Sequence, residues 1–180
     1  MLFKCKPLFL VLMWVLFLVP NLTIASPRED AIKSGFIYNF ARYSQGEWFN
    51  HKFAKNYKIC SFSPEFVEAA KYTLKGLTIR DIPVIVSLLA SEFDDIVDCN
   101  TLFISKSDTR AWNALLADNI LPNAMLVGEI DDFIFSGGHI KFFIVGGKVR
   151  FEISPNKLKQ AGINMSSKVL RLGRIYKGPL

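Results

Sequence analysis

The chain has little of what most catalytic and metal sites are built from: two histidines and three cysteines in 180 residues. They are too few and too scattered for a structural zinc site, so no metal is expected. No G-x-S-x-G nucleophile elbow occurs, and no cofactor-binding fingerprint stands out. His51 lies in a polar loop and His139 enters a strand, so each reads as a structural or surface residue. The acids Asp94, Asp95, Asp98, Asp131 and Asp132 fall in loops without calcium-ligand spacing and read as solvated carboxylates. Basic residues are spread without a run, which argues against nucleic-acid binding. Internal repeats, low-complexity tracts and linkers are also missing.

What is present begins at the start of the chain. Lys4 and Lys6 precede an apolar run from Leu8 to Val19, closed by Pro20, and Thr23-Ile24-Ala25 follows. That is the basic, apolar and cleavage order of a secretory signal. The run is short of the roughly 20 apolar residues that a spanning helix needs. Residues 1–25 are therefore expected to be a cleaved export leader, with an uncleaved anchor as the alternative. Cys5 precedes the apolar stretch and is badly placed for lipid attachment. Loss of the leader takes the formal charge from +6 to +4 and leaves residues 26–180, a length that suits one domain.

Export gives the two remaining cysteines a meaning. Cys60 and Cys99 are an even pair in an oxidising compartment, and a bridge between them would close a loop of about 40 residues. Chain entropy assigns such a loop about 4 kcal/mol. Two buried free thiols are the competing reading.

The patterning predicts alternating helices and strands. Arg28 to Tyr43 reads as a helix with Ile32, Phe36, Ile37 and Phe40 on one side. Tyr57 to Phe62 is a strand. Ser63-Pro64 and Ser154-Pro155 pair an N-cap with a first-turn proline, so each starts a helix. Strands are expected at Ile82 to Ser87, where Pro83 argues against a central position at the start. Further strands fall at Thr101 to Ser105 and Ala124 to Val127. A helix lies between those two, with Trp112, Leu115 and Leu116 inward. Gly146-Gly147 between two apolar runs marks a tight hairpin, His139 to Val145 with Lys148 to Ile153. Ser166 to Ile175 reads as a final basic helix. The expected fold is α/β: a mostly parallel central sheet with an antiparallel edge hairpin, flanked by helices on both faces.

Without a catalytic constellation, the protein is expected to act through its surface. Trp48 and Phe49, in a polar loop, are either a packing lid or interface anchors. Arg150, Glu152 and Arg171 are candidates for a polar rim or an anion-tolerant pocket, against ordinary surface.

Several segments in register resemble the YfiR/HmsC-like family of bacterial periplasmic proteins. They are the helix Ala31–Tyr43 with Trp48 after it, Ile59-Cys60, Cys99–Ser105, Ser136–Phe142, Val149–Ile153 and Ala161–Leu172. The resemblance implies a regulator, not an enzyme. It implies restraint of a membrane-bound diguanylate cyclase through the cyclase's periplasmic domain, lowering cyclic di-GMP and biofilm signalling. It also implies release by a peptidoglycan-anchored, OmpA-like lipoprotein, a possible homodimer, and a disulfide at the positions of Cys60 and Cys99. Some members carry a second cysteine pair near the double glycine, and this chain has no cysteine after Cys99. The alternative function is a periplasmic small-molecule-binding sensor, with its pocket at the strand ends.

Overall fold

The computed structural model describes residues 27–90 and 96–178. The export leader read at 1–25, and Asp94 and Asp95, lie outside the described residues. Helix α1 (Pro27–Arg42) leads to strand β1 (Ser44–Gly46), then β2 (Tyr57–Ser61), α2 (Pro64–Thr73), β3 (Thr78–Ile79) and β4 (Ile82–Leu88). A 3-10 turn at Ile96–Asp98 precedes β5 (Thr101–Ile104). Helix α3 (Thr109–Ala117), β6 (Met125–Gly128), and the hairpin β7 (Ile140–Val145) and β8 (Lys148–Ile153) follow. Helix α4 (Pro155–Gln160), β9 (Ile163–Met165), α5 (Ser167–Leu170) and β10 (Arg174–Ile175) end the chain. No helix among the described residues is long and apolar enough to cross a membrane.

The main sheet has eight strands in the order β10-β8-β7-β6-β5-β2-β4-β3. Pairs β2–β4, β2–β5, β5–β6, β6–β7 and β10–β8 are parallel, whereas β7–β8 and β3–β4 are antiparallel. This is the expected mostly parallel sheet with its hairpin toward one edge. The two-residue β10 is added outside it. A separate small ladder joins β1 to β9.

Strand alternation sends side chains to two cores, one on each face of the sheet. Ile59, Phe103, Met125, Val127, Ile140 and Phe142 join α1 and α2 on the first face. Cys60, Leu102, Ile104 and Leu126 join Trp112 and Leu115 of α3 on the second. On the first face Phe40 meets Phe151 edge-on with centroids 4.8 Å apart, and Phe36 lies 5.6 Å from Phe151. Burial of a large apolar side chain contributes about 1.5–3 kcal/mol, so this aromatic cluster fixes α1 against the hairpin. The buried stripe of α1 runs Asp30, Lys33, Ser34, Ile37, Phe40 and Ala41. Ile32, expected inward, is 43% exposed.

The Cys60–Cys99 disulfide is formed, with Cα atoms 5.9 Å apart. It ties β2 to the residue pair that leads into β5. The local start signals also hold. Ser63 Oγ accepts the Phe66 N–H at 3.2 Å and Ser154 Oγ accepts the Lys157 N–H at 3.4 Å. Gly146 and Gly147 have φ of 57° and 69°, the two positive values that a primed hairpin turn requires.

The expected final helix is corrected. Only Ser167–Leu170 is helical, and Arg174–Ile175 forms β10 against Glu152 and Ile153. Gly173 sits against the ring of Phe151, where a Cβ would collide with that ring. A bare backbone is thus needed where β10 reaches the sheet, and tertiary pairing overrides the local helical pattern.

Candidate functional site

The hairpin offers one open face. Ile140, Phe142, Phe151 and Ile153 point into the first core, so their alternates point the other way. Three cross-strand rungs result: Lys141 opposite Glu152, Phe143 opposite Arg150, and Val145 opposite Lys148. Arg174 reaches in from β10. Its Nε and Nη2 donate to the two Glu152 carboxylate oxygens at 3.0 and 3.3 Å. Its guanidinium also stands 4.6 Å from the centre of the Phe143 ring. Lys141 Nζ donates to Asp131 at 3.0 Å, and that hydrogen bond holds the exposed Asp131 carboxyl below its ordinary pKa.

The structure therefore brings Arg150 and Glu152 onto one surface. Arg171 is exposed in the turn after α5, and the guanidinium that pairs with Glu152 is that of Arg174. Sequence reasoning missed Arg174 because it placed that residue in a helix. An aromatic ring flanked by arginines, with polar groups around it, is the composition that dominates protein–protein contacts.

Trp48 and Phe49 are placed otherwise. They are 5% and 2% exposed, within the first core. Trp48 Nε1 donates to the Asn100 carbonyl at 3.1 Å, and Phe49 meets Tyr57 edge-on at 4.7 Å. They pin the loop before β2 onto the sheet, which is the packing alternative.

Phe49 also floors an open groove of about 460 Å³, lined by Gly46, Asn50, His51, Lys52 and Arg80. Arg80 and Asp81 form the two-residue turn between β3 and β4, with φ of 52° and 64°. Two non-glycine residues in the left-handed region carry strain. The Arg80 side chain offsets it by donating to the Ser44 carbonyl at 2.6 Å, with His51 Nδ1 3.4 Å away.

The carboxyl ends of the parallel strands are where open α/β sheets bind ligands. Here that region holds a buried ionic cluster. Lys33 is fully buried, and its ammonium lies 2.6 Å from Glu29, 3.6 Å from Asp30 and 2.8 Å from Glu129. Burial raises the pKa of Asp30 and Glu129 despite Lys33. Burial opposes the charge of Lys33 too, but its hydrogen bonds to Glu129 and Glu29 outweigh that and raise its pKa. Asp108 nearby is also raised, first by burial, while accepting from the Ser105 amide and hydroxyl. The cluster fills the strand ends with the chain's own side chains. Acids near a helix start, such as Glu29 and Asp30, are explained locally by the helix dipole, and the partner Glu129 lies 96 positions from Lys33, so the sequence does not signal the cluster.

His139 is buried at the start of the hairpin, where Nδ1 accepts the Leu126 N–H at 3.0 Å. Burial, with a smaller push from Lys157, holds its pKa down at about 4. That is the structural role expected for it. Among the described residues, no group of three or more His, Cys, Asp or Glu is arranged to hold a metal ion.

Comparison with known proteins gives one family. The model described as YfiR/HmsC-like matches residues 30–174. No curated protein matches the sequence. Among solved structures, a conserved domain protein from Vibrio cholerae O1 biovar El Tor superposes with a TM-score of 0.54 at 10% identity, and this likeness shows the fold alone. The match covers 80% of this chain and 60% of that one. A domain from Streptococcus pneumonia solved in complex with L-Trp aligns with a TM-score of 0.45 at 11% identity, over 70% of this chain and 56% of that one.

Proposed function

The chain belongs to the YfiR/HmsC-like family, and from that membership we propose that it is a periplasmic regulator that binds the outer domain of a membrane-bound diguanylate cyclase. Residues 1–25 serve as its export leader. Binding holds the cyclase inactive and keeps cyclic di-GMP low, and an outer-envelope lipoprotein that competes for the regulator lifts the restraint. Members of the family are regulators rather than enzymes. The observation that carries the reading beyond the family is the open hairpin face, where Phe143, Arg150 and Arg174 stand together on strands. A surface set on strands is held rigidly and loses little entropy on contact. The internal disulfide suits an oxidising compartment.

The test is cyclic di-GMP in cells lacking the gene. The level rises in the deletion strain, the wild-type gene restores it, and Arg150→Glu does not restore it although the protein is exported and folded. An unchanged level in the deletion strain overturns the reading. A second reading, a small-molecule sensor, is favoured by the groove beside Arg80, whose volume suits a small ligand. A ligand there raises the thermal midpoint of the purified protein.

A further inference from the structure

The two edges of the main sheet are finished differently. At one edge β10 is two residues long and carries Arg174, the short charged edge that resists pairing with other chains. At the other, β4 runs seven residues, Ile82 to Leu88, without a charge. Strand β3 covers it only at Ile82 and Pro83. Beyond them, the Val84 N–H donates outward to the Leu77 carbonyl at 3.0 Å, and the Leu89 N–H donates inward to the Ser61 carbonyl at 2.9 Å. Alternation between these two bonds aims the backbone N–H and C=O of Val86 and Leu88 away from the sheet. No partner for them occurs among the described residues. Ile85 and Leu88 are 37% and 48% exposed beside them.

Next to this edge lies a groove of about 260 Å³ between β4 and the end of α2. Leu74, Val84, Ile85 and Val86 form its apolar wall, and Lys71 and Lys75 form its rim. Among the described residues, no acidic side chain lines it. Unpaired strand groups, an apolar groove for alternate side chains and a positive rim are the three elements of strand-addition recognition.

We propose that the β4 edge is a docking site for an extended segment of a partner protein, which adds to the sheet along Val86–Leu88 and presents an acidic side chain to Lys71 and Lys75. The charge selects this occupant over a second copy. An antiparallel pairing of β4 with itself, about a two-fold normal to the sheet, sets both α2 helices on one face. That arrangement turns Lys71 and Lys75 of each copy toward those of the other, and like charges there oppose association. The inference rests on the reading of the protein as a partner-binding regulator and gives it a second contact surface, on the sheet edge away from the hairpin. Its test is a binding measurement without cyclic di-GMP, so either can fail alone.

The probe is a short fluorescein-labelled peptide of alternating valine and threonine with glutamates at its ends, beside the same peptide with lysines there. The glutamate peptide binds saturably, slows amide hydrogen exchange at Val86 and Leu88, and binds about tenfold more tightly than the lysine peptide. The double variant Lys71→Glu/Lys75→Glu, both exposed positions, reverses the preference. Val86→Pro removes an outward donor and abolishes binding of the glutamate peptide. Equal binding of the two peptides, or binding without protection at Val86 and Leu88, overturns the proposal. So does protection of those amides that grows with protein concentration alone, which would give the edge to a second copy.

Discussion

The Lys33 ammonium lies 2.8 Å from a Glu129 carboxylate oxygen, joining the start of α1 to the end of β6 across 96 positions of sequence, with both residues buried. Glu29 and Asp30 share the same ammonium. One positive charge thus faces three carboxylates, and its loss leaves Asp30 and Glu129 buried without it beside the partly exposed Glu29. Lys33→Ala is expected to cost about 3–5 kcal/mol, the scale for breaking a buried pair from one side. Urea unfolding of the two proteins measures the difference. The double variant Lys33→Met/Glu129→Leu recovers only part of that loss, since it removes one buried carboxylate with the cation but leaves Asp30 without its counter-charge.

His139 makes the protein sensitive to acid. Its ordinary pKa is 6.5 and burial holds it at about 4 in the fold, where Nδ1 must stay unprotonated to accept from Leu126. Between those values the unfolded chain binds a proton that the folded chain does not. Stability from this residue is complete above pH 6.5 and is lost as pH falls toward 4. The full loss is about 3 kcal/mol. Asp30, Glu129 and Asp108, with raised pKa values, act with the opposite sign, since their protonated forms are favoured in the fold. The comparison is therefore wild type against His139→Asn, whose amide oxygen keeps an acceptor near Leu126 without titrating. Thermal midpoints from pH 7 to pH 4 fall less steeply in the variant.

Features set by neighbouring residues were legible in the sequence. Ser63-Pro64, Ser154-Pro155 and Gly146-Gly147 announce their caps and turn because the bonds they make are local. Short pairings set by distant chain were not. Strand β1 exists because Ser44 to Gly46 meets Met165 to Ile163, and β10 because Arg174 meets Glu152. Neither segment is long enough to show a period. The hairpin face was half legible: Arg150 and Glu152 alternate visibly on one strand, but the guanidinium that completes the face arrives from β10. The Lys33 cluster was hidden because its carboxylates come from two separated segments.

The disulfide predicts a simple chemical result. Protein lacking residues 1–25 and unfolded without reductant shows no free thiol, and reduction exposes the two of Cys60 and Cys99. Replacing both with serine removes a cross-link spanning 39 positions and puts two hydroxyls into the second core. The expected loss is about 2–4 kcal/mol, read from urea midpoints, and soluble periplasmic yield falls with it.

Gly46 supports the loop that carries Trp48 and Phe49. Its φ is 144°, and a Cβ built there falls within covalent distance of the Gly162 carbonyl oxygen. The close approach exists because Gly46 pairs with Ile163 in the β1–β9 ladder. Gly46→Ala therefore cannot be absorbed by moving a side chain, as the obstacle is backbone. The ladder must open, and the loop from Glu47 to Asn56 loses its anchor at one end. The expected cost is about 2–4 kcal/mol, the upper range for a substitution at a strained backbone position. Because Trp48 donates to Asn100 across this loop, its fluorescence shifts to the red in the folded variant. An unshifted spectrum together with wild-type stability would mean that the β1–β9 ladder does not hold the loop.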